Sequence, residues 1–205
     1  MAMQGKVGTM ASALTADEQS SVVGYHNDYK RTVAFGEQEA ANGKLPAAAD
    51  MLEYSYDTDV ESAAQDWADS CNFSHNGYAG GQNLAVFGGS GMNNTALLQQ
   101  SVQMWFNEVE DFDVNDVSDF EVDSSATTGH FTQVIWAKSS TLGCGVQQCA
   151  TIENLSSDFD NGYIVVCNYQ SAGNYLGQPV YTEGDACSKC PDGYICDNGL
   201  CSQSS

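Results

Sequence analysis

Eight cysteines in 205 residues constrain this chain more than any other feature. The number is even, and Cys187, Cys190, Cys196 and Cys201 crowd the last 20 residues. In a reducing compartment four such thiolates would point to zinc; in an oxidising one they point to disulfides. The two tail pairs are separated by only five residues, which suits two short disulfides better than a zinc knot. A segment this small needs staples to fold at all. The spacing alone does not choose the connectivity. Sequons at Asn72, Asn93 and Asn154 add a little weight to secretion.

Charge narrows the partners. The net charge is −21, from 27 acidic and 6 basic residues, and the basic residues are scattered. Phosphate backbones and anionic membranes repel such a surface, so no nucleic-acid partner is expected. No apolar run is long enough to cross a bilayer. Residues 1–14 read as a leader or disordered N-terminus. They lack the charged start and apolar stretch of a signal peptide and are excluded from the fold. Residues 15–178 form the expected domain, and 179–205 a cysteine-rich, hinge-like tail.

Capping and periodicity predict the helices. Thr15-Ala-Asp-Glu18 is a capping box, and Val22, His26, Tyr29 and Val33 then recur at helical spacing to about Phe35. A second box, Thr58-Asp-Val-Glu61, opens a helix with Val60, Ala64, Trp67 and Cys71 on one face. Asn94 or Thr95 caps a third, whose face is Leu98, Val102, Trp105, Phe106 and Val109. The glycine-rich stretch 77–91 reads as loop. Residues 108–123 carry eight carboxylates and no packed helix. Residues 131–137 alternate and read as a strand, as do 143–149 and the apolar run 163–169. Helices first and strands later argue an α+β layered domain rather than repeated βαβ units.

The chemistry-bearing residues are few. Only His26, His75 and His130 supply imidazoles. His75 and His130 could converge on a metal with Glu108 beside them, since zinc wants about four ligands. Asp111-Phe-Asp113-Val-Asn115 opens like a calcium loop, but Asp116 stands where that loop needs Gly and Val122 where it needs Glu. No nucleophile motif is present.

Gly129-His-Phe-Thr-Gln-Val-Ile-Trp136 with Gly143-Cys144, and Tyr163-Ile-Val-Val-Cys-Asn-Tyr169 with Ala172-Gly-Asn-Tyr175, resemble the two signatures of the CAP superfamily. That family holds the cysteine-rich secretory, antigen 5 and pathogenesis-related proteins. His26-Asn27, Cys71-x-Phe73-x-His75 and Asn83-Leu84 agree with it. The tail is similar to the single-domain activation-associated secreted, or venom-allergen-like, proteins of parasitic nematodes. The resemblance implies an α+β fold, a three-layer α-β-α sandwich with a small antiparallel sheet and a short disulfide-rich tail. It implies secretion to the extracellular space and the pairs Cys71–Cys149, Cys144–Cys167, Cys187–Cys196 and Cys190–Cys201.

The family's cleft carries two His and two Glu. His75, His130 and Glu108 map onto three of them as metal ligands for zinc or another divalent cation, none being required. The fourth position is Gln82, which cannot act as a carboxylate base. Lys30 stands where Arg is usual, without its planar fork. Phe112 and Phe120 fall in the loop that binds sterols in some members, but one of its three aromatics is missing and the spacing is off by one, so the other reading is that they anchor the loop on the core. The function implied is that of a non-enzymatic parasite effector that modulates a host response. Its partner would be an extracellular host protein or a small lipid such as a sterol or fatty acid, the chain being a monomer or weak dimer. The alternatives are an extracellular hydrolase using the cleft His and Glu, or a purely surface-driven interaction module.

Overall fold

The computed structural model describes residues 13–121 and 127–203. In chain order the elements are α1 (Ala16–Ala34), β1 (Glu39–Ala40), β2 (Gly43–Lys44), β3 (Ser55–Tyr56), α2 (Thr58–Asp69), β4 (Gly81–Phe87) and α3 (Asn94–Asn107). Then follow α4 (Gly129–Ile135), β5 (Thr141–Gln148), β6 (Tyr163–Gln170), β7 (Tyr194–Asp197) and β8 (Leu200–Gln203). Two short 3-10 turns, Glu108–Asp111 and Val114–Val117, cross the acidic stretch.

The central sheet has the order β3-β5-β6-β4. It is antiparallel except at one edge, where the two-residue β3 pairs parallel to β5. Side chains alternate across it. Leu84, Ile164 and Val166 face Ala64 and Ala68 of α2. Ala85, Val165, Cys167 and Tyr169 face the larger core built with α1, α3 and α4. The result is the expected α-β-α layering. Helix α2 lies unusually close to β5 because Gly143 and Gly145 have no side chain: a Cβ on Gly145 would sit 2.5 Å from the Gln65 Cα.

The capping box of α1 forms as expected, with Thr15 and Glu18 exchanging bonds. The second box does not. The cap of α2 is Asp57, whose carboxylate accepts from the Asp59 and Val60 N–H groups, because a carboxylate serves two first-turn donors at once. Asn93, rather than Asn94 or Thr95, caps α3.

Two larger expectations are corrected. Residues 131–137 are not a strand; most of them belong to α4. Phe131 through Ile135 are all buried, so the alternation read in them does not separate a buried face from an exposed one. The glycine-rich stretch 77–91 is loop only at its two ends. Strand β4 runs through it, paired residue by residue with β6 from Gly81↔Tyr169 to Phe87↔Tyr163. Gly80 and Gly81 are small because the Tyr169 backbone and the Gln133 side chain press against them.

The chain ends also differ. Residues 1–12 of the expected leader and residues 204–205 lie outside the described residues. Leu14, grouped with that leader, is 4% exposed and belongs to the core. The tail packs on the domain: Val180, Tyr181, Leu200 and Cys201 are buried, and Cys201 bridges to Leu52. The four disulfides join Cys71 to Cys149, Cys144 to Cys167, Cys187 to Cys196 and Cys190 to Cys201.

Candidate functional site

The site forms around the edge strand β4. Gln82 and Asn83 are neighbours there, and their side chains leave opposite faces of the sheet. Gln82 organises His75 and Asn83 reaches the backbone of His130.

His75 lies beyond α2, in an exposed turn that the Trp67 indole steadies by donating to the Ser74 carbonyl at 2.8 Å. Gln82 Nε2 donates to Asn168 Oδ1 and Asn76 Oδ1, both at 3.0 Å, so its Oε1 is the acceptor. That oxygen receives the Asn76 N–H at 3.3 Å and His75 Nδ1 at 3.2 Å. Nδ1 of His75 therefore carries the proton, and Nε2 keeps its lone pair.

His130 opens α4. Glu108, at the end of α3, places Oε2 on the His130 and Phe131 N–H groups at 2.9 and 3.0 Å. Its Oε1 accepts from His130 Nδ1 at 2.6 Å. One carboxylate thus caps the first turn of a helix 22 residues away and sets the tautomer of its imidazole. The His130 ring also stacks on Trp105, with centroids 6.3 Å apart. Asn83 Nδ2 donates to the His130 carbonyl at 3.1 Å.

Both Glu108 oxygens accept hydrogen bonds here, so in this arrangement the carboxylate orients His130. Each ring is hydrogen-bonded through its Nδ1, His130 to Glu108 and His75 to Gln82. Among the described residues, the one group of three His, Cys, Asp or Glu ligand atoms within 4.8 Å is Cys187, Cys190 and Cys201. These sulfurs are in disulfides and offer no thiolate.

His26 does not join the site. It is fully buried in α1, donates from Nδ1 to the Val22 carbonyl at 2.7 Å, and accepts the Tyr169 hydroxyl at 2.9 Å. Burial pushes its pKa down to about 4, with a smaller contribution from Lys30. Lys30 is buried too. Its ammonium reaches the Leu52 and Ser139 carbonyls at 2.8 and 2.7 Å and sits 3.9 Å over the Tyr54 ring. Three acceptors for three N–H groups replace the fork an arginine would bring.

Phe112 and Phe120 are 1% and 3% exposed. Their rings meet Phe131 and Trp136 edge-on, at 5.1 and 5.8 Å. They anchor the acidic loop on the core. Sequence reasoning missed the feature beside them. A groove of about 420 Å³ is lined by Trp136, Lys138, Tyr175, Leu176 and Pro179. Tyr175 and Leu176 are 54% and 68% exposed. The signal for it was Tyr175-Leu176, two large apolar residues in an irregular, glycine-flanked stretch.

The sequon asparagines differ in freedom. Asn72 Nδ2 donates to Glu153 at 3.0 Å, and Asn154 Nδ2 donates to Asn72 Oδ1 at 2.9 Å. Asn93 is exposed and caps α3 through its Oδ1 alone.

Comparison with known proteins agrees with this architecture. The model of the cysteine-rich secretory protein family, CAP, matches residues 23–169. Venom allergen 5 of Rhynchium brunneum is 38% identical over 177 residues, 83% of this chain and 75% of that protein. Peptidase inhibitor 16 of Mus musculus is 34% identical over 192 residues, 93% of this chain but only 34% of that longer protein. The crystal structure of Na-ASP-1 superposes with a TM-score of 0.82 at 27% identity, over 97% of this chain and 50% of the other. That of NaASP2 with Zn2+ gives 0.79 at 30% identity, over 95% and 100%. With a family model spanning most of its length and relatives above 30% identity, this chain belongs to the CAP superfamily, the cysteine-rich secretory protein family.

Proposed function

We propose that this secreted protein works by binding rather than by catalysis, as an extracellular effector acting on a host protein. The observation that carries the reading is the pairing of each cleft imidazole with an orienting group. His130 is held by Glu108 and His75 by Gln82. Among the described residues no serine, threonine or cysteine hydrogen-bonds to either ring, and no cysteine is free. Among the described residues, neither ring is therefore paired with a side-chain nucleophile of the kind covalent catalysis uses. The surface charge of −21 favours a basic partner and a salt-sensitive association.

His75 and His130 would hold a divalent cation through Nε2, and zinc bound there would offer open positions to a carboxylate or carbonyl of the partner. The zinc named for a 30%-identical structure supports this choice of metal. Imidazole ligates only when neutral, so zinc affinity is expected to fall between about pH 7.5 and about pH 5.5. Calorimetric titration giving equal affinities would sink the cleft reading. Glu108→Gln keeps the shape but weakens the hold on the His130 tautomer, and zinc affinity should drop by about 10–100-fold.

A second reading rests on the groove beside Trp136. Its apolar walls and Lys138 suit a fatty acid or sterol better than the buried Phe112 and Phe120 do. Leu176→Asp should abolish saturable binding of labelled palmitate or cholesterol while leaving zinc binding unchanged. Binding untouched by that substitution would remove the groove from consideration. Of the three sequons, Asn93 is the one we expect to carry a glycan.

A further inference from the structure

Glu61 is only 3% exposed, and no lysine, arginine or histidine among the described residues pairs with it. Buried glutamates are rare without a cationic partner. Its Oε1 accepts the backbone N–H of Leu14 at 2.7 Å. Its Oε2 accepts Gln19 Nε2 at 3.0 Å, and the same amide donates to the Leu14 carbonyl at 3.1 Å. Both backbone groups of Leu14 are therefore held, and its side chain is in the core. Tyr56 senses the same carboxylate: burial raises its hydroxyl pKa, and Glu61 adds to the rise.

The atom in this socket is the nitrogen of Leu14. In a continuous chain it is a neutral amide. As a chain terminus it would be an ammonium in the same place. Ala13 is exposed, and it lines a shallow groove of about 320 Å³ with Asp66 and Asp69, so the surroundings also favour a cation. In the sequence, Ala11-Ser12-Ala13 has the small-x-small form of a processing site.

We propose that the mature chain begins at Leu14, released by hydrolysis of the Ala13–Leu14 peptide bond, and that its α-ammonium forms a buried ion pair with Glu61. Water adds across the amide; Ala13 leaves as a carboxylate and the Leu14 nitrogen takes up the protons. A peptidase selecting small residues supplies the cleavage. The socket carries the assignment, because Met1–Ala13 has no apolar run of its own. The inference is independent of the cation cleft.

The test uses the chain from Leu14 to Ser205, which contains every described element. It is made with a free and with an acetylated α-amine, each with Glu61 and with Glu61→Gln. At about pH 6.5 the free-amine chain should have a folding equilibrium about tenfold more favourable than its acetylated form, since a charge-assisted bond replaces a neutral one. Glu61→Gln should erase that difference. The pair raises the α-amine pKa above its ordinary value of about 7.7–8.0, so the advantage is full below that range. It closes as pH rises through the raised value. Equal stability of the free and acetylated chains overturns the ion pair, without needing any variant at position 61. Amino-terminal sequencing of the naturally secreted protein should find Leu14; a start upstream overturns the processing step.

Discussion

Replacing Cys71 and Cys149 together by alanine is expected to destabilise the folded chain by about 4 kcal/mol. The bond closes a span of 78 residues, the longest of the four, so its loss frees the unfolded chain most. The two ends stay close through neighbouring backbone bonds: Glu153 N–H donates to the Cys71 carbonyl at 2.8 Å, and Phe73 N–H to the Glu153 carbonyl at 3.1 Å. The native geometry thus survives, and the cost falls on the unfolded side. In a domain of this size about 4 kcal/mol lowers the melting temperature by roughly 8–16 °C. Scanning calorimetry of the double variant checks it, and a drop of only a degree or two would show the crosslink to be redundant. The effect should reach the cleft, because His75 follows Cys71 by four residues. The double variant should bind zinc less tightly even well below its melting temperature.

Acidification is expected to destabilise the folded protein through His26. The unfolded imidazole titrates near 6.5, the buried one near 4. Between these values the unfolded chain binds the extra proton and the folded chain does not. Stability is therefore full above about pH 6.5 and falls as pH drops toward 4, by about 3 kcal/mol in all. The contacts explain the resistance to protonation. Tyr169 donates its hydroxyl to His26 Nε2 and accepts from Asn83 Nδ2 at 3.3 Å. A protonated ring would turn that acceptor into a donor, and the Tyr169 hydrogen would lose its partner in a buried place. Urea titrations from about pH 7 to about pH 4 should show this slope in the native sequence and a flatter one in His26→Gln. Identical slopes would assign the acid sensitivity to carboxylates instead. NMR titration of the His26 ring gives the same answer should the variant fail to fold.

Part of the site could be read from the residues alone. His75, His130, Glu108 and Gln82 were all candidates, and the structure sets them in two orienting pairs around one strand. Their roles were not legible. Whether Glu108 ligates or orients depends on where the His130 and Phe131 N–H groups point, and nothing in local spacing says so. Phe112 and Phe120 left two readings open, a lipid contact or an anchor of the loop on the core. The fold sets both rings edge-on against Phe131 and Trp136, contacts that local spacing does not reveal.

The sequence by itself determined the covalent class, the charge and the elements whose signals are local. Eight cysteines called for oxidation and pairing. The Thr15–Glu18 box started α1, and the apolar run at 163–169 became β6. Those features need only near neighbours along the chain. Tertiary structure alone decided α4, β4 and the place of Leu14. The first turn of α4 is satisfied by the Glu108 carboxylate, just past α3, and β4 is a strand because β6 supplies its partners. Leu14 is fixed by a glutamate 47 positions away. Each is a polar backbone group whose partner is distant in sequence, and such a bond leaves no period or motif in the segment it stabilises.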